Sequence, residues 1–290
     1  MMIEFRNVDY IYEPETPYEM HAVKNVSFSI EAGEFVGLLG HTGSGKSTLI
    51  ELFNGLLKPS SGSVLFHGTD ISSKEVSLKE IRSKIGIVFQ YPEHQLFETT
   101  VLRDVCFGPK NMGCSEEEQK ERAKAALTSV GLDETYYEMS PFELSGGEKR
   151  RAAIAGVLAM EPEALILDEP SAGLDPRGRD EILGLIRKLW QERGLTVVLV
   201  SHSMDEAAKY AQRVIVMHEG VKTFDGPTRE VFTHAKELSE IGLGVPSTVR
   251  IFSMLRERGI AFPADIDELS IDGAAQALLK RVRDKEGGHV

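Results

Sequence analysis

The chain has 290 residues, 41% hydrophobic and 27% charged, which fits one large or two small soluble domains with a sizeable core. Its formal charge of −12 argues against general nucleic-acid binding and gives no net attraction to anionic lipid. Cys106 and Cys114 cannot build a disulfide framework, no apolar run is long enough to cross a bilayer, and the start MMIEFRNVDY lacks a signal-peptide pattern, so a cytoplasmic chain without direct membrane insertion is expected.

In chain order, residues 2–9 and 23–30 alternate apolar and polar, as half-buried strands do. Phe35–Leu39 is a short apolar run ending in glycine, and a helical pattern follows from about Lys46 to Leu57. Val64–Phe66 and Ile85–Phe89 read as further strands. The charged, alanine-rich stretch from Ser115 to Val130 reads as a surface helix capped by Ser115. Ala164–Leu167 and Thr196–Val200 are apolar runs flanked by helical patterns, which suits buried parallel strands. Val214–Met217 and Val221–Phe224 read as a hairpin, and Ala274–Arg283 as a closing helix.

Three stretches carry chemistry. Gly40, His41, Thr42, Gly43, Ser44, Gly45, Lys46 and Ser47 match G-x-x-x-x-G-K-[ST] in full, with Thr48 next in the helix. The glycines let backbone N–H groups turn inward around an anion, and the helix adds its positive end. Lys46 supplies a point charge to the β and γ phosphates, and the Ser47 hydroxyl can bind Mg²⁺. In ALILDEP, residues 164–170, a buried strand ends in two carboxylates, which need a partner there. Asp168 is suited to the Mg²⁺ shell and Glu169 to orienting the attacking water. In ELSGGEKRR, residues 143–151, Ser145 is a helix N-cap, and Gly146 and Gly147 let something approach the backbone closely. That is a second helix start suited to phosphate; in isolation it would be an ordinary Gly-Gly turn.

Together these stretches resemble the nucleotide-binding subunit of an ATP-binding cassette (ABC) transporter, from residue 2 to about 235. The resemblance implies an α/β fold: a P-loop NTPase core with a mainly parallel sheet, an N-terminal antiparallel β subdomain, a helical signature subdomain over about 91–160, and a small C-terminal extension over 236–290. GHTGSGKS resembles the Walker A loop and ALILDEP the Walker B strand. Leu144, Ser145, Gly146, Gly147 and Glu148 resemble the family signature, with Glu148 where glutamine is common. Gln90 matches the Q-loop glutamine, which bridges Mg²⁺ and the membrane partner. Asp175 matches the D-loop, and His202 the switch histidine that contacts the γ-phosphate. Tyr12 falls where an aromatic stacks on adenine; Tyr10, two residues away on the same strand face, is an alternative, and packing by both is the third reading.

Residues 89–113, FQYPEHQLFETTVLRDVCFGPKNMG, are similar to the energy-coupling-factor subfamily, which powers uptake of vitamins or transition-metal ions. The long link YEPETPYEMHAVKNVSF and the tail IGLGVPSTVRIFSMLRERGI resemble the second of its two paralogous ATPases. The resemblance implies ATP hydrolysis with Mg²⁺, catalysed through Glu169, His202 and Lys46. It also implies a head-to-tail dimer with a paralogous or identical ATPase, in which the signature of one subunit closes the ATP on the other. A transmembrane coupling subunit and a substrate-binding membrane subunit complete the assembly on the cytoplasmic face. Tyr91–Phe97 is expected beside the coupling groove, with Leu96 and Phe97 partly exposed as partner contacts. A homodimeric ATPase of a cobalt or nickel importer is the alternative. A repair-type cassette would need sustained heptads between residues 48 and 143, which are missing; a P-loop kinase would not need LSGG.

Overall fold

The computed structural model describes residues 1–262 and 269–286. The chain opens with β1 (Ile3–Tyr12), β2 (Met20–Ile30) and β3 (Phe35–Leu39), then turns into α1 (Lys46–Phe53). β4 (Ser61–Phe66), β5 (Thr69–Asp70), α2 (Leu78–Lys84) and β6 (Ile85–Val88) follow. A 3-10 turn at Pro92–Gln95 leads to α3 (Val101–Met112), α4 (Glu116–Ser129) and α5 (Gly146–Leu158). The chain returns through β7 (Ala164–Asp168), α6 (Pro176–Arg193), β8 (Thr196–Val200), α7 (Met204–Tyr210), β9 (Arg213–His218) and β10 (Val221–Pro227). It closes with α8 (Thr228–Val231), α9 (Ala235–Glu240), α10 (Ser247–Glu257) and α11 (Ile271–Glu286).

β3 sits in a six-stranded sheet of order β10-β9-β3-β8-β7-β6, parallel except for β10. A four-stranded antiparallel sheet, β2-β1-β4-β5, covers one face with α1, and α5 and α6 cover the other. The period of two decides which core each residue joins. Along β8, Val197 and Leu199 enter the helix-side core, while Val198 and Val200 enter the core shared with the antiparallel sheet. Burial on both faces explains why these strands read as unbroken apolar runs.

The first two strands are longer than the 2–9 and 23–30 expected. Their ladder continues through Tyr10↔Val23, Ile11↔His21 and Tyr12↔Met20, so part of the long link is itself strand. α1 stops at Phe53 instead of Leu57, because Asn54 caps it and Gly55 turns left-handed at φ 70°. α4 begins as expected, the Ser115 hydroxyl accepting from the Glu118 N–H at 3.3 Å. α3, in a stretch where periodicity had marked no element, is capped by Thr100 and packs against α4 and α5. The C-terminal segment is tied to the body: Leu238 and Leu243 are buried in the helix-side core, and Ser247 donates twice to Asp205.

Candidate active site

Parallel strands place the motifs at one edge of the sheet. Leu38 and Asp168 both register with Val200, so the glycine loop after β3, the carboxylates ending β7 and His202 beyond β8 leave the sheet at one level. β6 brings Gln90 alongside. Ligands bind at this carboxyl edge in open parallel sheets.

A cavity of about 810 Å³ opens there, lined by Thr42, Gly43, Gly45, Lys46, Ser47, Thr48, Gln90, Asp168, Glu169 and His202. The Lys46 ammonium donates to the carbonyls of Gly40 at 2.7 Å and His41 at 3.0 Å, so its charge is held inside the loop. Burial pulls its pKa down, and the charges of Glu169 and Asp168 oppose that pull. Gly40 and Gly45 are needed as glycines. Their φ values are 154° and 101°, and a Cβ would come within 2.4 Å of the Met217 carbonyl or 2.5 Å of the Ala22 carbonyl.

Burial pushes the Asp168 carboxyl up to about 6, with Glu169 adding to the rise and Lys46 opposing it. Glu169 sits at φ 47°, an uncommon conformation for a non-glycine residue. Its carboxylate accepts from the Gln90 amide at 3.1 Å and lies 3.3 Å from His202 Nδ1. The residues fit a nucleotide and a divalent cation. Asp168 and Glu169, two adjacent acids at the end of β7, and the exposed Ser47 line the cavity together with the Lys46 charge, an oxygen donor set suited to Mg²⁺ beside a cation suited to phosphate.

Several expected residues lie elsewhere. The His41 ring faces away from the cavity to His218, Nε2 to Nδ1 at 3.1 Å. Tyr12 rests on α1, its hydroxyl 3.2 Å from Thr48 Oγ1, and Tyr10 packs against the core; neither lines the cavity. Met20, His21, Ala22 and Lys24 of β2 and Glu219 and Gly220 of the β9–β10 turn form walls with no local sequence signal. Long-range pairing puts them there, through Lys24 N–H to the Gly220 carbonyl at 2.8 Å and Gly220 N–H to the Ser44 carbonyl at 3.1 Å.

Leu144, Ser145, Gly146, Gly147 and Glu148 stand outside this cavity. Ser145 is the N-cap expected, and its N–H donates to Glu148 at 2.8 Å, completing a capping box. A Cβ on Gly146 or Gly147 would meet nothing within 4 Å. Asp175 caps α6, accepting from the Gly178 N–H at 2.7 Å.

A second, more apolar cavity of about 570 Å³ lies between the sheet body and the α3–α5 helices, lined in part by Leu56, Gln95, Phe97, Phe107, Met112 and Met160. Phe97 is 58% exposed, as expected, but Leu96 is buried. The N–H groups of Phe97 and Glu98 both bond Asp104 Oδ2 at 2.8 Å, which fixes the turn with Leu96 inward.

The chain matches the family described as ABC transporter over residues 23–172. Across 98% of its length it is 52% identical to the energy-coupling factor transporter ATP-binding protein EcfA2 of Clostridium tetani (strain Massachusetts / E88), covering 99% of that protein. The protein of the same name from Clostridioides difficile (strain 630) is 52% identical over 98% of each chain. The chain belongs to the energy-coupling factor family of ABC transporter ATP-binding proteins. Its enzymatic activity is that of an ABC ATPase, hydrolysing ATP to drive transport.

Solved structures agree on the fold. The cbiO1 protein of Clostridium perfringens, part of the ABC transporter complex cbiONQ, superposes with a TM-score of 0.74 at 39% identity, over 89% of this chain and 99% of that one. A dimeric post-hydrolysis state of the ATP-binding cassette MJ0796, bound to ADP and Pi, superposes with a TM-score of 0.69 at 33% identity, over 79% and 99%.

Proposed function

We propose that this chain energises a membrane importer by closing head-to-tail on a second, similar ATPase, with one ATP between each Walker loop and the opposite signature. The observation that carries this reading is the split site. Lys46, Ser47, Asp168, Glu169, Gln90 and His202 share one cavity, while Gly146 and Gly147 at the α5 start stand outside it, with nothing within 4 Å of where a Cβ on either would lie. A γ-phosphate is the anion that two helix starts can share, and its loss on hydrolysis loosens the pair.

Within the site, the loop N–H groups and Lys46 hold the phosphates. Ser47, Asp168 and Gln90 would hold Mg²⁺, which would neutralise charge on the phosphate oxygens. Glu169 orients and polarises the attacking water, and His202 stands at the γ-phosphate. The neighbouring groups support these roles: the Gln90 amide and the His202 ring both reach the Glu169 carboxylate.

The membrane subunit docks in the apolar cavity beside Phe97 and Phe107, whose rings meet edge-on at 5.0 Å with both exposed. This puts the chain at the cytoplasmic face as a peripheral subunit; among the described residues no helix is long and apolar enough to cross a membrane. The segment from 236 onward adds to the dimer contact. Ile251 and Met254 of α10 and Ile271, Leu279 and Val282 of α11 are exposed apolar side chains that a second ATPase would cover.

Glu169→Gln tests the whole reading. It is expected to bind ATP, accumulate as a closed dimer with ATP and magnesium, and lose nearly all turnover. Rapid hydrolysis by that variant, or a monomer under saturating nucleotide, refutes it. Lys46→Ala is expected to weaken ATP binding itself by roughly 1.5–3 kcal/mol, measured by nucleotide titration.

A further inference from the structure

Arg150, in the second turn of α5, is 2% exposed and lines neither cavity. Its guanidinium grips Glu93 as a two-pronged fork, Nε to Oε2 at 3.1 Å and Nη2 to Oε1 at 2.8 Å. Nη1 donates to the carbonyls of Pro170 and Ala172, each at 2.9 Å. Glu93 belongs to the 3-10 turn that follows Gln90, while Pro170 and Ala172 lie in the loop that begins after Glu169. One buried cation therefore bridges the turn at the apolar cavity, the signature helix and the loop beyond the carboxylate.

Stability alone is a poor reason for such a group. Burying a guanidinium costs several kcal/mol, and an apolar side chain of similar volume would often serve as well. Geometry gives a better reason. The backbone of Glu169 is held at φ 47°, a strained conformation for a non-glycine residue that persists only where the surroundings over-determine it. On one side Glu169 N–H bonds the Val200 carbonyl at 3.0 Å, and Ala172 N–H bonds the Glu169 carbonyl at 3.0 Å. Ser171 Oγ donates to the buried Glu206 at 2.7 Å. On the other side, Arg150 takes the carbonyls of Pro170 and Ala172.

We propose that Arg150 is a positioning residue for Glu169, holding the strained loop that aims its carboxylate and tying that loop to the Glu93 turn, so that displacement of the turn displaces the carboxylate. This rests on the reading of Glu169 as the group that orients water. The turn carries Gln95 of the apolar cavity, so a partner seated there would act on hydrolysis through a single side chain.

The test uses the full chain in its purified membrane complex, with Arg150→Lys, Glu93→Gln, their combination, and Glu169→Gln as reference. Lysine keeps the charge but has no planar fork, so it cannot hold Glu93 and two carbonyls together. Arg150→Lys and Glu93→Gln are expected to lower kcat about 10–100-fold with KM for ATP within about twofold of wild type, since a misaimed group costs rate before binding. The double variant is expected to be no slower than Arg150→Lys, because both changes break one linkage. Should Arg150→Lys fail to fold, Glu93→Gln carries the measurement. An inactive Glu169→Gln beside Arg150→Lys and Glu93→Gln at full kcat overturns the proposal alone. So does a fall in kcat that comes with an equal loss of ATP affinity and of melting temperature, which marks a structural role. An active Glu169→Gln removes the reading of Glu169 and the proposal with it.

Discussion

At the scale of single residues, the site sets stability against function. The Asp168 carboxyl is pushed up to about 6 by burial, while an unfolded aspartate titrates near 3.8. Above pH 6 the nucleotide-free fold therefore carries the strain of an ionised, buried acid; as pH falls from 6 towards 3.8 the folded state takes up a proton first and the strain is relieved. Asp168→Asn is expected to stabilise the nucleotide-free protein at pH 7.5, on the order of 1 kcal/mol after solvent screening, while abolishing magnesium-dependent hydrolysis. The gain should shrink at pH 5. Thermal melts at the two pH values check this; a destabilised variant at pH 7.5 would contradict the burial argument. Arg150 shows the opposite limit, a buried charge whose donors Nε, Nη1 and Nη2 all find acceptors.

Among the elements, the start of α5 is the informative one. Ser145 and Glu148 satisfy each other's backbone groups, so the helix start is complete without help from Gly146 and Gly147. Neither glycine has a positive φ, and a Cβ on either would touch nothing within this chain. Conformation and packing here thus tolerate alanine. Gly146→Ala is expected to raise the stability of the isolated chain slightly, by up to about 0.5 kcal/mol, and to cut ATP hydrolysis by the assembled dimer tenfold or more. Denaturant titration and steady-state ATPase measured on one preparation separate the two effects. Full activity in Gly146→Ala would mean that no partner phosphate approaches this backbone. Gly62 makes the contrast: its φ is 76°, and a Cβ would lie 2.2 Å from the Asn7 carbonyl, so there alanine fails for reasons internal to the fold.

For the whole molecule, the cavity and the signature helix lie apart, and the proposed head-to-tail pair is what would bring them to one nucleotide. In the proposed pair, the exposed apolar side chains of α10 and α11 would supply a contact that does not depend on ATP. Removing residues 247–290 is expected to leave nucleotide binding by the single chain unchanged, because none of the described residues among them lines the cavity, and to weaken association at low nucleotide. Sedimentation of the truncated and full chains, with and without ATP on a Glu169→Gln background, reads this directly. Equal association of the two forms without nucleotide would leave α10 and α11 no part in the dimer.

What local sequence determined here is chemistry with a short reach. The glycine loop, the acid pair after an apolar strand and the Ser145 cap were legible because each depends on neighbours within a few residues: backbone freedom, strand burial and an N-cap three residues from its partner. Helix α3 and the strand part of the long link escaped the same reading. α3 carries Pro109 inside it, a residue that reads as a helix breaker, and puts the charged Asp104 on its buried face, while the start of β2 exists through pairing with β1. Only the tertiary structure decided that β2 and the β9–β10 turn wall the cavity, that Leu96 turns inward while Phe97 stays out, and that Arg150 joins Glu93 to the loop after Glu169. Those partners lie far along the chain. Sheet order and close packing bring them together, and neither leaves a mark in the local spacing of residues.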